Sequence, residues 1–289
     1  MTRARKLQVS NGYYLNFNQL AQLLNSAQAN PESGKNTTLQ LSEDTGLPPR
    51  QVESLVSIGR ALGIFQDLTL RPSRWGALFF THDGFFQAKG THEFLHYRAA
   101  GNYRNLVWYE VFNALLPNEP PMDYQGWLRY FRHNLDAEYS AYSLKSHLRK
   151  EVRFIIDAYL DKEFQRLDLL QQTGDGRLYR RRYLNPEPLV LAAMLYDYAG
   201  QQRTNTLQVG EMPHRPGAPP RLLGLDEAGF RQQILKLHAK DYLRYEGTHN
   251  LDQIRLKPDY QALSFLQAYY RGTEPQARTA DAEMRKGSP

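Results

Sequence analysis

The sequence predicts a mainly α-helical protein, with a winged helix-turn-helix near the N-terminus, a central helical region, a second winged-helix-like unit at the C-terminus and small β-hairpins. Apolar residues recurring at three- and four-residue spacing predict the helices. Two blocks, each a pair of helical stretches followed by a pair of strand-like runs, predict the winged units. Turn-rich segments at 30–38, 117–121 and 212–220 divide the chain, and 289 residues suffice for one large or two to three small domains. The expected division is 1–86 for the winged helix-turn-helix, 87–166 for the helical domain, 167–271 for the hairpin and C-terminal unit, and 272–289 for a flexible tail.

Residues 39–86 form the most legible block. Ser42–Thr45 reads as a short helix, Gly46 as a tight turn and Pro48–Leu62 as a second helix, since Pro is tolerated where the first-turn N–H has no intrahelical partner. Val52, Leu55, Val56 and Leu62 form its inward face, and Gly63 ends it by accepting a left-handed conformation. Ile64–Gln66 and Leu68–Arg71 read as the wing, and Ser73 as the cap of a helix over 74–80. Further helices are expected over 93–99, 106–115, 124–134 and 143–160. In the last, Leu144, Leu148, Val152, Ile155, Ile156 and Tyr159 make an apolar stripe, with Lys145, Arg149, Lys150 and Arg153 mostly opposite. Leu167–Leu184 reads as a hairpin turning at Gly174-Asp175-Gly176. Helices over 188–198 and 226–238, then strands over 242–246 and 253–256, repeat the winged order.

Composition narrows the function classes. The absence of Cys excludes disulfides, thiolate catalysis and Cys-ligated zinc or iron–sulfur centres. The longest apolar run, Leu189–Leu195, is too short to cross a bilayer, and no apolar segment follows the basic start Met1–Lys6, so the cytoplasm is the expected compartment. A net charge of +6 and a pI near 9.3 favour a polyanionic partner. The chain contains no phosphate-binding loop, dinucleotide fingerprint or nucleophile elbow.

Three motifs bear on function. On the Pro48–Leu62 helix, Arg50, Gln51, Ser54 and Ser57 are expected to face outward, where Arg and Gln would hydrogen-bond purine edges in a major groove. The expected DNA surface also takes in Arg60, Arg71, Arg74, Lys145 and Arg149. A docking module with a solvated polar face is the alternative. The segment Arg177-Leu-Tyr-Arg-Arg-Arg-Tyr183 places four Arg and two Tyr in seven residues. On a strand, Arg177, Tyr179 and Arg181 would share one face opposite Arg180 and Arg182, suited to phosphate pairing and base stacking, or to a charged edge that resists aggregation.

The third motif, His92-Glu93-Phe94-Leu95-His96, matches HExxH, in which two imidazoles share a helix face around zinc and the Glu acts as base. Ala99 stands where the metzincin pattern needs Gly, no further His follows at its spacing, and Glu110 and Glu119 lack a recognisable context. The alternative is an ordinary helix start after Gly90-Thr91, with Glu93 near its positive end. No metal ligands are assigned.

From about Leu41 to Pro258 the chain resembles domain-of-unknown-function family 4007. The residues that carry the resemblance are Leu68–Phe86 (LTLRPSRWGALFFTHDGFF), Leu144–Tyr159 (LKSHLRKEVRFIIDAY), Pro216–Glu227 (PGAPPRLLGLDE) and Gly247–Leu256 (GTHNLDQIRL), in that order. Ser73-Arg74 departs from the usual glycine after the wing, and Glu151 replaces an expected aspartate. Members of the family are similar to the SspB component of bacterial DNA phosphorothioation and anti-phage defence clusters. The resemblance implies a protein that binds double-stranded DNA, works with other subunits of a sulfur-modification complex and nicks one strand to prepare sulfur insertion, with Mg²⁺ or Mn²⁺ serving such cleavage. It supplies no catalytic residues. Two other readings stay open: a non-catalytic winged-helix adaptor for DNA or protein, and a zinc peptidase built on His92 and His96.

Overall fold

Leu20, Leu23, Leu24 and Ala27 recur at helical spacing and form the buried side of α1 (Phe17–Ala29), a helix the sequence reading did not anticipate. The computed structural model that shows it describes residues 5–29, 37–66, 70–135, 139–248 and 251–277. Next come α2 (Thr38–Thr45), capped by the Thr37 hydroxyl, and α3 (Pro49–Ala61), separated by Gly46 at φ 70°. Among the described residues the expected wing shows one antiparallel bridge, between Phe65 and Pro72, beside a Gln66 N–H donated to the Arg71 carbonyl. Leu68 and Thr69 of that wing lie outside the described residues.

Ser73 caps α4 (Arg74–His82) as expected, accepting from the amides of Trp75 and Gly76. Gly76 permits close approach to the preceding segment, because a Cβ there would lie 2.2 Å from the Ile64 carbonyl oxygen. The central helix α5 (Lys89–Gly101) is buried continuously from Gly90 to Tyr97. It leads through α6 (Leu106–Glu110), a π-helical turn (Val111–Leu115) and α7 (Leu116–Asn118) to α8 (Tyr124–Leu135). The helix expected over 143–160 forms as α9 (Ala141–Ser143), a second π-helical turn (Leu144–Leu148) and α10 (Arg149–Leu160). A 3₁₀ turn (Glu163–Leu167) follows, burying Phe164.

The hairpin closes as expected: β1 (Leu170–Gln172) pairs antiparallel with β2 (Leu178–Arg180), Leu170 opposite Arg180. Beyond it lie α11 (Pro188–Gln202), β3 (Thr206–Gln208), α12 (Pro219–Leu223), α13 (Glu227–Ala239), β4 (Leu243–Thr248), β5 (Leu251–Leu256) and α14 (Ala262–Arg271). Strands β3, β5 and β4 form an antiparallel sheet in that order, with Leu207 opposite Ile254 and Leu243 opposite Leu256. The Asp226 carboxylate caps α13. Strand β3 and helices α12 and α14 were not anticipated; α14 packs along α11. Buried side chains from Leu7 to Leu266 form one cluster. Among the described residues no helix is long and apolar enough to cross a membrane.

An N-terminal strap ties the parts of this cluster together. Lys6 bridges to Asn105, Leu7 and Val9 are buried, and Ser10 is held by Glu151 of α10, which accepts its amide at 3.0 Å and its hydroxyl at 2.8 Å. Removing that carboxylate leaves a buried N–H without its acceptor, and a hydrogen bond to a charged group contributes roughly 1.5–3 kcal/mol. Glu151→Ala should therefore lower stability to urea by about that amount and expose the amides of residues 6–10 to hydrogen exchange ahead of α10. Equal protection of strap and helix in the variant would refute this role.

Candidate nucleic-acid interface

On α3, only the first turn presents the surface expected of a recognition helix. Pro49, Arg50 and Glu53 are exposed. Gln51 is half-buried and donates to the Gln19 side chain at 2.9 Å. Ser54 and Ser57 do not face outward: both are buried, Ser54 donating to the Ser10 carbonyl and Ser57 accepting from the Lys6 ammonium at 2.8 Å. The strap lies over the face that a major groove would need. Short hydroxyl side chains give no sequence signal of being covered by a segment more than forty residues away.

The arginine-rich segment also departs from expectation. Strand β2 ends at Arg180, so the predicted alternation does not extend through Arg182. Arg177 pairs with Asp175, Arg181 with Asp168 and Arg182 with Asp226, while the Tyr179 hydroxyl donates to Gln171 at 2.9 Å. Arg180 turns inward and donates to the carbonyls of Arg221 and Leu222. Burial, reinforced by Arg221, brings its pKa down to about 9. The densest run of positive charge in the sequence is thus largely neutralised or internal.

Unpaired positive charge lies instead along α8 and α10. Arg129, Arg132 and His133 occupy one exposed side of α8 at i, i+3 and i+4. Arg132 and His133 line a groove with Ala141, Leu144 and Lys145. Arg149, one turn beyond Lys145, is exposed, and its carbonyl accepts the Tyr124 hydroxyl from the other end of α8, so the two helices run antiparallel. Among the described residues no carboxylate pairs with Arg129, Arg132, Lys145 or Arg149. Lys145 and Arg149 were anticipated. Arg129, Arg132 and His133 were not, although their spacing on a predicted helix was a usable signal.

The remaining expected residues border a cleft of about 680 Å³ between α3, α4, α5 and α11, lined by Arg60, Arg74, Arg98, Arg104 and Asp197. Asp197, buried on α11, accepts from Arg98 at 2.9 Å, Arg74 at 3.2 Å, the Tyr97 hydroxyl at 3.1 Å and Gln201 at 2.7 Å. Arg74 also stacks over Trp75, 4.3 Å from the ring centroid. Arg60 donates to the Gln66 carbonyl, and Arg71 is exposed beyond the cleft.

The HExxH residues serve the interior. His96 Nε2 donates to the Leu222 carbonyl at 3.1 Å, which leaves Nδ1 to accept the Tyr159 hydroxyl; that hydroxyl in turn accepts the Trp108 indole N–H at 2.9 Å. Both ring nitrogens are used, so His96 has no lone pair for zinc. His92 Nε2 donates to the Phe86 carbonyl at 2.6 Å. Glu93 accepts the Tyr183 hydroxyl and the Glu187 amide rather than facing a substrate. The zinc-peptidase reading fails on these partners.

The family model described as protein of unknown function (DUF4007) matches residues 60–270. In fold the chain is similar to a crystal structure of magnesium-ion-bound SspB, at 16% identity and TM-score 0.75, over 96% of this chain and 92% of that one. A second SspB crystal structure matches at 17% identity with the same TM-score and coverage. No curated protein matches the chain.

Two buried groups on α5 give opposite pH dependences. Burial, against the pull of the Tyr183 hydroxyl, raises the Glu93 pKa to about 7, so the stability associated with its protonated form is complete below about 4.5 and is lost as pH rises through 7. Burial lowers the His96 pKa to about 3, so the stability of its neutral form is complete above about 6.5 and is lost as pH falls toward 3. Between pH 4.5 and 6.5 the two trends oppose each other. Glu93→Gln removes the Glu93 contribution, and urea midpoints should fall on acidification across that window more steeply than in the parent. Parallel profiles would contradict the assignment.

Proposed function

The chain belongs to the DUF4007 family, and from that membership we propose that it is a DNA-binding component of a bacterial DNA phosphorothioation and anti-phage defence system. The α8–α10 groove carries this reading, because it gathers Arg129, Arg132, His133, Lys145 and Arg149 on one exposed surface without paired carboxylates among the described residues. Such a surface suits the phosphates of duplex DNA, whose binding is driven by counterion release. In this reading Arg50, on the exposed turn of α3, reads base edges, a role its exposure supports.

The run α11-β3-α12-α13-β4-β5, with β5 central in its sheet, supports a second, winged-helix-like unit. Gln232, Leu235 and Lys236 form an exposed side of its α13, available to DNA or to another subunit of the complex.

Strand cleavage is the further possibility raised by the likeness to SspB, one of whose structures holds magnesium. Among the described residues of this chain, no three His, Asp or Glu side chains gather so as to hold a metal ion. The described residues thus offer no ready-made three-ligand centre, and we put binding before nicking.

Four phosphate contacts in the groove should give a log–log salt slope of about −3.6 for duplex binding, and Lys145→Ala/Arg149→Ala should reduce its magnitude by about 1.8 while weakening all sequences alike. Arg177→Ala and Arg181→Ala, whose side chains are already paired, should leave the slope in place. Unchanged affinity and slope in the Lys145/Arg149 variant would sink the interface. In parallel, supercoiled plasmid incubated with the pure protein and Mg²⁺ or Mn²⁺ is expected to stay closed; open circles lost in no-metal controls would restore the nickase reading.

A further inference from the structure

We propose that the α8–α10 groove holds an unpaired DNA strand more tightly than a closed duplex, with Tyr142 as the platform on which an unstacked base lies. This rests on the reading of the groove as a DNA surface and adds the form of DNA it favours. Size sets the first limit. The groove measures about 390 Å³, at the low end of the range for small-ligand sites, so part of one strand can enter it while a duplex can only lie across its mouth. Arg132 and His133 reach it from α8, and Ala141, Leu144 and Lys145 from the facing segment.

Tyr142 supplies what phosphate pairing alone does not. It follows Ala141 and stands three residues before Lys145, both of which line the groove, and it is 75% exposed. The other two exposed tyrosines among the described residues have a cation over the ring, Lys162 at 5.2 Å from Tyr14 and Arg5 at 4.4 Å from Tyr103. Among the described residues no cation covers Tyr142 in this way. Its ring neighbour, His147, stands nearly perpendicular with centroids 6.4 Å apart, and is itself tied to Gln8 at 2.6 Å. The backbone beneath the ring is held: the Ser140 hydroxyl accepts the Ser143 amide at 3.2 Å, and the Ser146 hydroxyl donates to the Tyr142 carbonyl at 2.7 Å. A platform already in place loses less freedom when a base lands on it. Rings set beside unpaired cations hold strands of any sequence, because every base has a π-face. In a duplex those faces are taken by neighbouring bases, and withdrawing one costs unstacking and unpairing. An unpaired strand reaches Tyr142 without that cost.

Fluorescence anisotropy of the full chain at one fixed salt concentration tests this with three labelled probes. They are a mixed-sequence single strand, that strand annealed to its complement, and a strand of equal length built from abasic residues. We expect the base-bearing strand to bind about tenfold more tightly than the abasic one, which carries the same phosphates, and more tightly than the duplex. Tyr142→Ala should remove this advantage and leave duplex and abasic binding as they were. Tyr142→Phe, which keeps the ring and drops the hydroxyl, should retain it. Tyr142→Leu, with bulk but no π-face, replaces the alanine variant if that one fails to melt cooperatively. The proposal is overturned if the abasic strand binds as well as the base-bearing one, if the duplex is preferred, if loss of the ring weakens all three probes alike or none, or if Tyr142→Phe loses the advantage. Failure of the underlying reading looks different. Strands bound equally, but both weakened by Lys145→Ala/Arg149→Ala, sink the stacking and keep the DNA surface. Probes indifferent to that variant remove the surface, and the stacking with it.

Discussion

Helix α5 imposes the central constraint. It is enclosed along most of its length, yet it carries His92, Glu93 and His96 in the interior. A buried polar group without a partner costs about 1–3 kcal/mol, and the rest of the chain delivers partners to these side chains, to His92 through its Nε2 alone. The partners come from widely separated places: Phe86 before the helix, Tyr159 on α10, Tyr183 and Glu187 after the hairpin, and Leu222 on α12. The polar residues of one helix thereby fix how the middle and C-terminal parts of the chain meet. Phe164 closes the arrangement by packing against His92, His96, Trp108 and Tyr159.

The same requirement for partners sorts the arginines. Where a carboxylate stands nearby in the fold, as for Arg177, Arg181 and Arg182, the cation is held on the protein. Arg180 goes further and satisfies two interior carbonyls, a structural use for which its density of neighbouring arginines gives no warning. Lys145 and Arg149 escape this because the acidic residues of α10 are engaged elsewhere: Glu151 holds the strap and Asp157 pairs with Arg153. Charge available to a polyanion is therefore what remains after the fold has paired its own.

The strap and the π-helical turn decide the shape of that remaining surface. By covering Ser54 and Ser57, the strap leaves α3 only its first turn exposed, while the unpaired positive side chains lie along α8 and the start of α10. The π-helical turn at Leu144–Leu148 inserts extra residues where α9 joins α10, beside the groove that Lys145 lines. Asp197 plays a comparable part elsewhere, gathering Arg74 and Arg98 from different helices into one cleft.

Much was legible without the fold. Helical periodicity placed α3, α8 and α13 nearly to their ends, the end of α10 and the start of α11, Ser73 marked the start of α4, and the Gly-Asp-Gly turn placed the hairpin. These signals are local: they depend on spacing along one element, on caps and on turn geometry. Helix α1 carries the same periodic signal in Leu20, Leu23, Leu24 and Ala27. What only the tertiary structure decided is which polar side chains meet water. Burial of Ser54, neutralisation of Arg181 and the double engagement of His96 depend on residues remote in sequence. Hydrogen bonds and ion pairs act over a few ångströms in space, and residue order does not encode that distance.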